Sequence, residues 1–93
     1  VNQQARPRFG KGVRLRQDRD GTAMLLVPEG ALVLNPSAAA ALELVDGDRS
    51  VAQLVDAVVE RFEVTPKQAA ADLLELFERL EARGFVTLAR SLS

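Results

Sequence analysis

At Asn35–Pro36 the apolar rhythm of the chain changes period, and that change constrains the fold more than any other feature. Before it, short apolar runs alternate with polar residues or stand between turn residues. After it, apolar residues recur three and four positions apart. Side chains alternate across a strand and recur about every 3.6 residues around a helix. The first third of the chain therefore reads as strands and the rest as helices, an α+β arrangement.

In the strand region, Val13 and Leu15 fall on one face and Arg14 and Arg16 on the other, the pattern of a half-buried strand. Asp18 to Gly21 supply turn chemistry, because the aspartates can accept local amide bonds and Gly21 tolerates positive φ. Thr22 to Val27 form a second strand, Pro28-Glu29-Gly30 turn the chain, and Ala31 to Leu34 return as a third. A three-stranded antiparallel meander is expected. Residues 1–12, broken by Pro7, Gly10 and Gly12, read as a flexible N-terminal arm.

Three helices follow the meander. Asn35 caps the first, Pro36 occupies the position where a missing N–H costs nothing, and the helix stops at Asp46-Gly47-Asp48. Ser50 and Gln53 form a capping box for the second, over residues 51–62. Thr65, Pro66 and Gln68 repeat these signals for the third, which ends near Gly84. On the third helix Ala69, Leu73, Leu76, Phe77 and Leu80 share a face, and Ala70 and Leu74 widen the stripe beyond what one neighbour needs. Residues 85–88 read as a short strand or extended tail. One domain is expected over 13–88, with a C-terminal tail over 89–93.

The chain has 93 residues and neither cysteine nor histidine. Thiolate chemistry, disulfides and the usual general base near neutral pH are therefore excluded. No serine has a histidine to activate it, and neither a phosphate-binding glycine loop nor a metal-ligand spacing is present. Asp18 to Thr22 look superficially like a calcium loop but lack the glutamate at its twelfth position. No enzyme, cofactor or metal is expected, and with no membrane-length apolar stretch the chain reads as soluble and cytoplasmic.

What remains is a binding surface. Residues 1–20 carry six cations against two aspartates, a net +4 that leaves −5 for the remainder. Such a split suits either a basic arm that meets an acidic partner or a solvated tail. DNA binding is disfavoured because the third helix displays Asp72, Glu75, Glu78 and Glu81, which phosphates would repel. The run Ala31 to Leu34 is apolar on both faces. Three settings fit it: a sandwiched core strand, a homodimer interface, and an edge that captures a peptide as an added strand.

The ordered set Arg6-Pro7, Val13 to Arg16, the LLVPEG turn at residues 25–30, Leu34-Asn35, Asp46-Gly47 and Ser50-Val51 resembles the pyrroloquinoline quinone biosynthesis protein D (PqqD) family. The third helix and Gly84 continue the likeness, which runs from Arg6 to about Leu88. The resemblance implies a winged helix-turn-helix-like scaffold and a non-enzymatic peptide chaperone of the kind called a recognition element for ribosomally made, modified peptides (RiPPs). Such a protein holds the precursor peptide PqqA and presents it to PqqE, a radical S-adenosylmethionine enzyme. In this group the peptide adds antiparallel to the third strand and packs on the third helix. Carried onto this chain, the peptide site would comprise Ala31, Leu32, Val33 and Leu34 with Ala69, Ala70, Leu73, Leu74 and Phe77 of the third helix. Arg6, Arg8 and Lys11 are candidate partner contacts on charge grounds. A homodimer through strand or arm exchange is a further expectation. A winged-helix DNA binder and a recognition domain of another modified-peptide pathway are the alternatives.

Overall fold

Turn chemistry and caps divide residues 3–89, the span described by the computed structural model, into five strands and three helices. In chain order these are β1 (Arg6–Phe9), β2 (Arg14–Gln17), β3 (Ala23–Val27), β4 (Gly30–Leu34), α1 (Pro36–Glu43), α2 (Val51–Arg61), α3 (Pro66–Ala82) and β5 (Val86–Ala89). The β2-β3-β4 meander forms one antiparallel sheet, and β1 pairs with β5 in a second. The expected meander and three helices are present, so the architecture is α+β. Residues 90–93, most of the expected tail, lie outside the described residues, as do residues 1 and 2.

Each helix starts on the residue its capping chemistry selects. Asn35 Oδ1 accepts the Ala38 N–H at 2.8 Å. Thr65 Oγ1 accepts the Gln68 N–H at 3.1 Å. At α2 both arms of the capping box form: Ser50 Oγ accepts the Gln53 N–H, and the Gln53 side chain accepts the Ser50 N–H. Caps of this kind contribute about 1 kcal/mol each. α3 ends at Gly84, whose φ of 78° lets the Gly84 N–H donate to Glu81 and the Phe85 N–H donate to Leu80. That pair of hydrogen bonds is a Schellman stop, and it aims the chain into β5.

The expected flexible arm is instead partly built into the fold. Pro7 and Ala5 are buried. The first two amides of α2, on Val51 and Ala52, have no partner within their helix and donate to the carbonyls of Ala5 and Gln3, both at 2.9 Å. The Gly47 N–H donates to the Pro7 carbonyl. Gly10 closes the corner: its N–H donates to Phe85 at 2.8 Å, and a Cβ there would sit 2.8 Å from the Gly84 carbonyl oxygen. Composition suggested mobility because Pro and Gly interrupt this segment. Their tertiary use, in a strand edge and a close backbone approach, reverses that reading.

The core gathers Leu25 from the meander, Leu42 from α1, Val51, Leu54, Val55 and Val58 from α2, Ala69, Leu73, Phe77 and Leu80 from α3, and Phe85, Val86 and Leu88 from the C-terminal end. Fully burying side chains such as Phe77, Leu25 or Leu54 contributes about 1.5–3 kcal/mol apiece. The ion pairs are solvent-exposed and contribute about 1 kcal/mol or less each. Apolar burial holds this molecule together.

Candidate functional site

The register of the meander decides which backbone groups face outward. The Asp18 N–H donates to the Thr22 carbonyl at 2.8 Å, so Thr22 bonds toward β2. In an antiparallel ladder the bonding direction alternates residue by residue. Hence Ala23, Leu25 and Val27 bond toward β4, where their partners are Leu34, Leu32 and Gly30. The N–H and C=O groups of Ala31 and Val33 therefore point away from β3. Among the described residues β4 pairs only with β3, which makes Ala31 and Val33 the open hydrogen-bonding positions of a sheet edge.

Side chains alternate in the same way. Leu32 and Leu34 lie opposite buried Leu25 and Ala23 and are half-buried. Ala31 and Val33 lie opposite Leu26 and Met24 on the other face, and Val33 is 75% exposed. The doubly apolar strand is not a sandwiched core strand.

A cleft of about 200 Å³ runs between the inner side of β4 and α3. Leu32 and Leu34 meet Leu76 and Leu80 across it, with Arg79 and Arg83 also lining the wall. A second cleft, of about 220 Å³, shares Leu76 and Arg79 and continues past Leu73 to Asp72, toward the start of α1. Together they follow α3 from Asp72 to Arg83, about 16 Å of helix at 1.5 Å per residue. A five-residue strand spans about 17 Å. The groove and the open edge match in length and lie side by side.

The residues expected at this site divide accordingly. Ala31 to Leu34 form the open strand β4. On α3, Ala69, Leu73 and Phe77 are 2, 3 and 0% exposed and belong to the core, although Leu73 also touches the second cleft. Ala70 and Leu74 are half-buried against that core and line neither part of the groove. The groove wall is Leu76, Arg79 and Arg83, with the outer edge of the core residue Leu80, 3% exposed, beneath them; together they make an i, i+3, i+4, i+7 stripe that the expected set lacks. Its signal is present in the sequence as two leucines of the wide apolar stripe, with Arg79 between them and Arg83 just beyond.

Arg6 and Arg8 are exposed on β1, opposite Ala89 and Thr87, and line a different cleft beside Gly47. Lys11 is exposed in the turn after β1. None of the three reaches the β4–α3 groove. The two carboxyls held below their usual range are both in turns. Asp46 is lowered by accepting the Arg49 and Asp48 amides, and Asp20 by accepting the Thr22 amide. They serve local folding. Among the described residues no cluster of acidic side chains is arranged to hold a metal ion.

The open strand edge and the apolar helical groove both lie within the part of the chain that known proteins match. The sequence model of the family described as Coenzyme PQQ synthesis protein D (PqqD) matches residues 22–86. The chain belongs to the PqqD family. A relative named PqqA binding protein, from Azotobacter vinelandii, is 40% identical over 83 residues, covering 88% of this chain and 89% of that one. A Bifunctional coenzyme PQQ synthesis protein C/D from Methylorubrum extorquens is 36% identical over 75 residues, or 80% of this chain and 20% of that protein. The solution structure of the PqqD portion of Methylobacterium extorquens PqqCD, described as a functional, stand-alone RiPP recognition element, superposes with a TM-score of 0.74 at 33% identity. It covers 87% of each chain, so the PqqD architecture extends well beyond the meander and the groove.

Proposed function

We propose that this protein is a non-catalytic chaperone of pyrroloquinoline quinone biosynthesis, which captures the precursor peptide PqqA as an added strand on β4 and presents it to the radical S-adenosylmethionine enzyme PqqE. The observation that carries this reading is the open hydrogen-bonding edge at Ala31 and Val33, running beside the apolar groove of α3. Relatives bear the name PqqA binding protein, which supports that peptide as the guest. The fusion of C and D functions in one relative supports physical association with other proteins of the same pathway.

The guest forms its backbone bonds at Ala31 and Val33, and its side chains opposite Leu32 and Leu34 enter the groove. Burial of two or three such side chains contributes about 1.5–3 kcal/mol each. Ordering a disordered peptide consumes part of that gain. Binding of micromolar strength or somewhat better, about −8 kcal/mol, is the expected result. Arg6, Arg8 and Lys11, outside the groove, remain free to meet the enzyme.

On this reading the β3–β4 hairpin is the wing of a winged helix-turn-helix and α2–α3 its helical pair, turned from DNA to peptide. α3 exposes Asp72, Glu75 and Glu78, which opposes a phosphate backbone. Among the described residues no helix is long and apolar enough to cross a membrane, and a cysteine-free chain needs no oxidising compartment, so the reading puts the protein in the cytoplasm. In the absence of guest, the same edge can pair with a second copy.

Titration of isotope-labelled protein with PqqA, followed by amide NMR, tests the proposal. Shifts should concentrate at residues 30–34 and along the Leu76–Arg83 face of α3. Saturable binding that leaves both unperturbed would overturn it.

A further inference from the structure

Between β4 and the C-terminal half of α3 the groove is apolar at its floor and cationic on the helix, whereas its other end carries Asp72 and Glu75. Leu32, Leu34, Leu76 and Leu80 supply the floor, and Arg79 and Arg83 stand one helical turn apart on the α3 wall. Each guanidinium is already engaged by a carboxylate of this chain. Arg79 Nη2 lies 3.0 Å from Glu75 Oε1, and Arg83 Nη2 lies 3.8 Å from Glu29 Oε2. All four side chains are more than half exposed, so both pairs are open to exchange. Glu29 sits in the β3–β4 turn and Arg83 caps the end of α3, so the second pair spans the end of the groove.

We propose that Arg79 and Arg83 make this groove selective for an acidic–apolar strand, and that Glu75 and Glu29 hold the two arginines until a guest carboxylate displaces them. The inference rests on the strand-addition reading and adds to it the chemical class of the guest.

Spacing supports it. Residues four apart on a helix are about 6 Å apart along the axis. Alternate residues of a strand are about 6.6–6.8 Å apart, at 3.3–3.4 Å per residue. Groove-facing guest positions i and i+2 therefore keep step with successive turns of α3, which offer Leu76 with Arg79 and then Leu80 with Arg83. Each such position has an apolar floor and an arginine fork within its turn, so it takes a leucine-like side chain or a carboxylate. Arginine donates two parallel N–H bonds to the two oxygens of a carboxylate, a geometry that an amide side chain does not satisfy. The intramolecular pairs keep the free groove from presenting two unpaired cations, and they set a threshold that a purely apolar peptide gains nothing by crossing.

Fluorescence anisotropy with labelled PqqA, and with a copy in which every Asp and Glu is replaced by Asn and Gln, tests the inference on the intact chain. For an exposed or half-exposed charge pair the expected effect is a few-fold, here about three- to tenfold weaker binding of the amide copy. Arg79→Gln and Arg83→Gln should weaken PqqA by the same order and leave the amide copy unchanged. Glu75→Gln and Glu29→Gln should tighten PqqA, by about twofold or more, because they remove the competitor. All four sites are exposed, and unchanged thermal melts certify each variant. Equal binding of the two peptides, or equal losses for both in the arginine variants, overturns the inference while leaving strand addition intact. Failure of both peptides to bind at β4 removes strand addition and this inference together.

Discussion

Leu76 and Phe77 are adjacent, both apolar, and about 100° apart around α3, yet they do different work. Phe77 is fully buried, whereas Leu76 is half-buried and lines both parts of the groove. Phe77→Ala should cost about 3–5 kcal/mol, as large-to-small changes in a closed core do. Leu76→Ala should cost about 1 kcal/mol of stability. It should nevertheless weaken PqqA roughly tenfold, if the lost contact is worth about 1.4 kcal/mol in the complex. Thermal denaturation alongside peptide titration separates the two. A Leu76→Ala variant that melts early and still binds normally would place the groove elsewhere. The sequence showed both residues as members of one over-wide stripe. It could not divide them, because that division depends on how α3 is rotated against α2 and β5.

At the scale of the element, β4 is the clearest case. Its length, its Pro28-Glu29 turn and its apolar content were all legible in the chain. Its phase was not, since the direction of each N–H follows from the Asp18–Thr22 bond two strands away. With the phase known, two proline substitutions make opposite demands. Val33→Pro removes an outward N–H, which an edge strand tolerates. Its melt should change little while peptide binding falls about tenfold, the equivalent of about one net hydrogen bond. Leu32→Pro removes an N–H directed at Leu25 and should unfold the hairpin. Circular dichroism on both variants checks the assignment, and similar melts for the two would refute it.

The first and last described strands pair with each other and tie the fold together. β1 and β5 pair antiparallel, from Arg6 with Ala89 to Phe9 with Val86, and the segment before β1 supplies acceptors to the first turn of α2. Removing residues 1–9 strips β5 of its partner and α2 of two acceptors. At about 1 kcal/mol per lost hydrogen bond the loss exceeds about 2 kcal/mol, and the melting temperature should fall by about 10 °C or more. A truncated chain that melts with the full one would return residues 3–9 to the status of a loose arm. No residue of 3–9 lines the β4–α3 groove, so the truncation removes none of its lining.

Local chemistry determined the elements. Period-two and period-3.6 patterning, the caps at Asn35, Ser50 and Thr65, and the glycine stop at Gly84 act over a few residues, so a single sequence displays them. The ordered set of turn and strand residues was also enough to point to the PqqD family, and through it to a peptide guest. Tertiary structure alone decided three things: that a Pro- and Gly-broken segment docks as β1, that Ala31 and Val33 point their backbone outward, and that Leu76, Arg79 and Arg83 line the groove over Leu80 while Ala69 and Phe77 are closed into the core. Each depends on contacts between residues far apart in the chain. An apolar side chain looks the same in sequence whether a neighbouring element covers it or leaves it for a guest.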